Sequence, residues 1–93
     1  MIRPLEGITI LDLSSILMVP YCTRILADLG AEVIKIEPIS GDKTRALKKS
    51  GSGYFLTYNR NKRSLAMDVK KEEGKKIIQA LIRKSDVFIE NFR

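Results

Sequence analysis

Two short apolar runs flanking one amphipathic segment constrain this chain most. "GITILDLSS" carries a run at 8–13 that is rich in β-branched residues and apolar on both faces, as a buried parallel strand is. "VPYCTRILADLG" follows. Pro20 suits the first turn of a helix, Cys22, Ile25, Leu26 and Leu29 fall on one helical face, and Gly30 supplies the stop. "AEVIKIE" then reads as a second strand, 32–37. Strand, helix and strand within about thirty residues make a βαβ unit with a right-handed crossover.

The rest of the chain extends that unit. "SGDKTRALKKSGSG" is loop-like, and "YFLTYNRNK" reads as a short helix or turn whose Tyr54, Phe55 and Tyr58 pack on the domain edge. "SLAMDV" is a third strand candidate. "KKEEGKKIIQALIRKSD" is an amphipathic helix with Ile77, Ile78, Leu81 and Ile82 as its buried stripe, acids in its first turn and bases in its last. "DVFIENF" is a fourth strand. The expected fold class is α/β: a Rossmann-like, open, mainly parallel sheet with flanking helices. Four strands and two long helices leave one sheet face thinly covered. The expectation is therefore an incomplete fold, the N-terminal part of a larger domain or one half of a tight assembly.

Composition excludes several chemistries. The 93 residues contain no histidine and one cysteine, Cys22. That removes Ser-His-Asp and Cys-His catalysis within the chain, an internal disulfide, and a zinc site; no metal is expected. A cytoplasmic location is the default for such a chain, and no apolar stretch reaches membrane-spanning length. The net charge of +6 is concentrated. Residues 38–71 hold nine Lys or Arg against two acids, and the remainder is close to neutral. The plain reading of this stretch is a solvated surface; the sharper one is a site for a phosphorylated ligand. The bases sit in loops without a recognition-helix or RNP-like pattern, which argues against a nucleic-acid module.

Glu37, at the end of the second strand, stands where dinucleotide folds place a ribose-binding acid. The first strand–helix turn, "DLSSILMVPYC", contains no glycine, however, and a pyrophosphate there would meet side chains instead of bare backbone. A conventional NAD or FAD site is disfavoured. Glu37 then reads as a strand-end acid pairing with Lys35 or the basic loop, and Asp12 as a strand-end acid capping the turn after it.

Four blocks in order, "PLEGITILDLSSILMVPYCTRILADLGAEVIKIEP", "SGDKTR", "NRNKRSLAMDVKKEEGKK" and "SDVFIENFR", resemble the opening of the family III CoA-transferases, a group that includes formyl-CoA transferases, carnitine CoA-transferases and α-methylacyl-CoA racemases. The resemblance covers essentially all of residues 1–93. It implies a CoA-binding Rossmann-like segment, with coenzyme A or acyl-CoA as substrate and a carboxylic acid as its partner in transfer. By position, the implied CoA contacts are Leu17 and Met18, Pro38, Met67, Asp68, Val69 and Lys70, then Asn91, Phe92 and Arg93. By charge, Lys43 and Arg45 join them. The family usually has a small residue and Gly where Met18 and Val19 precede the proline, and many members have Arg where Pro38 stands. Arg45, Lys43 or Lys62 is then a candidate for the missing cation. The family's transferases use an aspartate nucleophile and its racemases a His/Asp-type pair; both lie beyond residue 93, so no catalytic residue is nominated here. A homodimer of the full-length protein is implied as well. A racemase segment and a non-catalytic α/β interaction domain are the alternatives.

Overall fold

The computed structural model describes residues 3–14, 18–49 and 53–91. Leu17, Phe92 and Arg93 lie outside the described residues. Four strands, β1 (Thr9–Asp12), β2 (Glu32–Glu37), β3 (Lys62–Ala66) and β4 (Val87–Ile89), form one parallel sheet in the order β3-β2-β1-β4. Helix α1 (Met18–Asp28) connects β1 to β2, a 3₁₀ turn (Lys43–Ala46) and α2 (Tyr54–Asn59) connect β2 to β3, and α3 (Glu72–Lys84) connects β3 to β4. The expected α/β fold with a Rossmann-like strand order is what the chain adopts.

Strand alternation divides the core into two clusters, because successive side chains point to opposite faces. Ile10 and Val33 pack with Ala27 and Ala31 on the α1 face. Leu11, Leu13, Ile36 and Met67 pack with Ile78 and Leu81 on the α3 face. The α1 helix ends in a Schellman motif: the Ala31 N–H reaches the Leu26 carbonyl and the Gly30 N–H that of Ala27. Gly30 sits at φ +108°, and a Cβ there would meet Arg3 Cβ at 2.7 Å, so both conformation and space demand glycine.

Three sequence expectations change. The buried stripe of α1 is Pro20, Thr23 and Ala27, while Cys22, Ile25 and Leu29 are exposed. Thr23 lies inward because its hydroxyl satisfies a buried carboxylate, which hydropathy alone does not register. On α3, Ile78 and Leu81 pack inward but Ile77 and Ile82 remain 46% and 41% exposed, as does much of Phe88, so the α3 face is the thinly covered one. β3 begins at Lys62 rather than at "SLAMDV". Its basic residues find acidic partners across the sheet, Lys62 with Asp12 and Arg63 with Glu32, which lets a charged segment pair as a strand.

Candidate functional site: a cleft at the carboxyl edge of the sheet

Ligands in open parallel sheets lie beyond the carboxyl ends of the strands. At that edge the chain forms a cleft of about 780 Å³, within the range of small-molecule sites. Leu13, Ile36, Met67 and Val69 supply an apolar floor. One wall is the segment 38–43, the other is 68–70, and Lys43 and Lys70 place a cation on each. Of the expected contacts, Pro38, Lys43, Met67, Asp68, Val69 and Lys70 therefore converge on a single cleft. Met18 does not: it is 82% exposed at the head of α1. Asn91 follows β4 at the same edge, outside the cleft lining.

The 68–70 wall is built by the approach to α3. The Lys70 N–H donates to Asp68 Oδ1 at 3.0 Å, closing a short turn, and the Asp68 carbonyl lies against Gly74 in the first turns of α3. A Cβ on Gly74 would stand 2.1 Å from that carbonyl oxygen, so glycine is needed for the close approach.

The other wall rests on charge. Lys35 and Glu37 share a face of β2 with Val33, and on that face the carboxyl half of the sheet is ionic instead of apolar. Asp12 accepts from the Ser14 N–H (2.7 Å), the Ser14 hydroxyl, Thr23 Oγ1 (2.7 Å) and Lys62 Nζ (3.1 Å). Lys62 Nζ also donates to Asn59 Oδ1 (2.7 Å) and the Pro20 carbonyl (3.2 Å). Lys35 Nζ reaches the Ser14 carbonyl at 2.8 Å and Asp42 Oδ2 at 3.2 Å. Glu37 takes a two-pronged contact from Arg45, Nε at 2.7 Å and Nη2 at 2.9 Å, plus the Asp42 N–H at 2.9 Å and the Ser64 hydroxyl. Three acids and three bases thus neutralise one another, with nearly every donor and acceptor used, the arrangement that makes buried charge tolerable.

Ionisation follows these contacts. The Arg45 guanidinium, helped by Ser64 and the Asp42 N–H against the cost of burial, holds the Glu37 carboxyl at about 2. Burial opposes ionisation of Asp42, but the Thr44 N–H and hydroxyl and the Lys35 charge outweigh it and lower its pKa. Burial pushes Lys62 down, with Asp12 pulling the other way.

These contacts settle several sequence readings. Asp12 caps the turn after β1, and Glu37 pairs with the basic loop, both as expected. Lys62 is corrected as a phosphate partner: its side chain is 1% exposed and committed to Asp12. Arg45 is outside the cleft lining, bound to Glu37 and lying 3.7 Å over the Phe55 ring. Tyr54 packs on Tyr58 and Tyr58 on Tyr21, and neither tyrosine lines the cleft. The wall residues Ile39, Ser40, Gly41 and Asp42 have no counterpart among the sequence expectations, and Lys35, expected as a partner of Glu37, pairs with Asp42 instead. The usable signal was a charge at alternate positions within an apolar strand. A smaller hollow of about 330 Å³ at the amino ends of β2 and β3 includes Arg3, Glu32 and Arg63, and there Arg63 is already paired with Glu32. Among the described residues, no three His, Cys, Asp or Glu side chains gather as a metal site, and no helix is long and apolar enough to cross a membrane.

Known proteins carry the same pattern. The family model for CoA-transferase family III matches residues 5–93. The chain is 49% identical to the human succinyl-CoA:glutarate CoA-transferase over 98% of its own length and 22% of that protein's. It is 45% identical to a formyl-CoA:oxalate CoA-transferase of Rhodopseudomonas palustris over 99% of this chain and 23% of the relative. In structure it is similar to a CAIB/BAIF family protein from Brucella suis, with a TM-score of 0.90 and 39% identity over 99% of this chain and 26% of that one. A Mycobacterium tuberculosis protein solved in an orthorhombic crystal form gives a TM-score of 0.93 at 37% identity, covering 98% and 26%. The chain thus spans about a quarter or less of these relatives, and on the strength of this match it belongs to CoA-transferase family III.

Proposed function

We propose that this chain is the N-terminal, CoA-binding segment of an acyl-CoA transferase that moves coenzyme A between carboxylic acids, with the nucleophilic aspartate outside its 93 residues. The observation that carries this reading is the convergence of Pro38, Lys43, Met67, Asp68, Val69 and Lys70 on one cleft at the carboxyl edge. An apolar floor with a cation on each wall suits a ligand having a planar or apolar body and anionic groups. Lys43 and Lys70 meet phosphate by charge-assisted hydrogen bonds, while Met67 and Val69 pack against the uncharged part. The relatives' names, which specify CoA transfer between acids, support the same substrate class. We assign the protein to the cytoplasm, and the full-length enzyme to a homodimer.

Calorimetric titration with CoA and with dephospho-CoA tests the reading. CoA is expected to bind, dephospho-CoA to bind more weakly, and Lys43→Ala or Lys70→Ala to weaken CoA about tenfold. Absence of heat and of any spectral shift with either ligand overturns a CoA site in this chain.

A further inference from the structure

We propose that Glu37 and Arg45 are positioning residues for CoA: a paired latch, Glu37 in the cleft lining with its carboxylate spent on protein donors and Arg45 outside the lining, that holds the 38–43 wall in its binding conformation. The inference rests on the CoA reading of the cleft. Five contacts fix this wall, and four of them involve Glu37 or Asp42. The Gly41 N–H closes a turn onto the Pro38 carbonyl at 2.8 Å. The Asp42 N–H donates to Glu37 Oε1. Asp42 caps the 3₁₀ turn by accepting from the Thr44 N–H at 2.9 Å and pairs with Lys35. Arg45 then crosses over Gly41, its Cδ 3.1 Å from where a Cβ would be, and clamps Glu37 through both nitrogens. Phe55 of α2 covers the guanidinium. The wall between these anchors carries Pro38 and Lys43, two expected CoA contacts, whereas Arg45 itself is absent from the cleft lining. Two of its nitrogens, Nε and Nη2, are thereby spent on Glu37.

The latch and a direct Arg45–phosphate contact make opposite predictions. A wall released from its anchors binds only through the fraction of time it is correctly shaped, and a binding-competent fraction of about one tenth weakens apparent affinity about tenfold. Glu37→Gln, Arg45→Met and the double variant are titrated with CoA and dephospho-CoA where melting shows each folded. The latch requires each single variant to lose about tenfold for both ligands, the double variant to lose no more than either single, and Arg45→Lys to retain part of the affinity. Amide exchange gives a readout that a general loss of stability does not move: the Asp42 and Thr44 N–H groups exchange faster in the variants while those of β2 keep their protection. If Glu37→Gln does not fold, Glu37→Asp, which keeps the charge and shortens its reach, takes its place in the same comparison. Loss confined to Arg45→Met and to CoA, with Glu37→Gln binding as well as or better than the parent, marks Arg45 as a direct phosphate ligand and overturns the latch. Variants that bind like the parent overturn it too. A parent chain that binds neither ligand overturns the CoA reading itself, and the latch with it.

Discussion

Glu37→Gln also isolates how much stability one buried carboxylate supplies. Its side chain is 3% exposed, and its carboxyl titrates near 2 in the fold against an ordinary value of 4.5. A depressed folded pKa stabilises the native state above the unfolded value, and that stability is lost as pH falls through the folded one. At 1.36 kcal/mol per pKa unit, the gap corresponds to about 3 kcal/mol at neutral pH. Urea unfolding from pH 7 down to pH 2 measures it. The parent is expected to exceed Glu37→Gln by up to about 3 kcal/mol at pH 7, with the difference shrinking below about pH 5 and vanishing near pH 2. Asp42, whose pKa is lowered as well, steepens acid unfolding of the parent further. A parent–variant gap that stays constant across this range refutes the reasoning, because a loss of packing alone has no such pH dependence.

Other perturbations test neighbouring parts of the structure. Lys62→Met leaves Asp12 buried without its cation and is expected to cost about 3–5 kcal/mol in denaturant unfolding, whereas Asp12→Asn with Lys62→Met, which removes the charge but keeps an acceptor for Ser14 and Thr23, recovers a large share of that loss. Gly74→Ala drives a methyl into the Asp68 carbonyl; the overpacking costs about 1–3 kcal/mol in spite of alanine's better helix propensity, and a lowered melting temperature reads it out. Arg60→Ala removes only an exposed partner of Asp28, and its melting temperature is expected to shift far less than that of Lys62→Met.

The elements that local pattern could announce were legible in the sequence. β2 has the limits its pattern predicts, and the order of strands and long helices holds, with the short helix α2 inside the β2–β3 connection. The cleft contacts that came from the family resemblance, Pro38 and the run 67–70, also fall together. What stayed hidden depended on partners far away in sequence. Nothing in the local pattern singles out Thr23 as buried, because its partner, Asp12, lies eleven residues upstream. Lys62 looked like a surface cation because the acid that neutralises it lies fifty residues away. Arg45 was read for its charge, and only the geometry shows that its charge is already committed to Glu37. In each case tertiary pairing overrode what hydropathy and net charge implied.

The same pairing accounts for the precision of the sheet's carboxyl edge. On β2, Ile34 and Ile36 face the α3 side, where Ile36 is part of the cleft floor, while Lys35 and Glu37 face the ionic cluster. The side-chain period of a strand is two, so slipping β2 by one residue exchanges these faces. The slip would carry Lys35 and Glu37 onto the apolar floor and set Ile34 and Ile36 against Asp12, Lys62 and Asp42. Each stranded charge would then lack a partner in a buried site, a penalty of several kcal/mol per group. Hydrophobic alternation and ionic pairing therefore specify the same register independently. The buried charges add less to net stability than their number implies, but they make every neighbouring register costly, and the cleft walls are anchored to the one that remains.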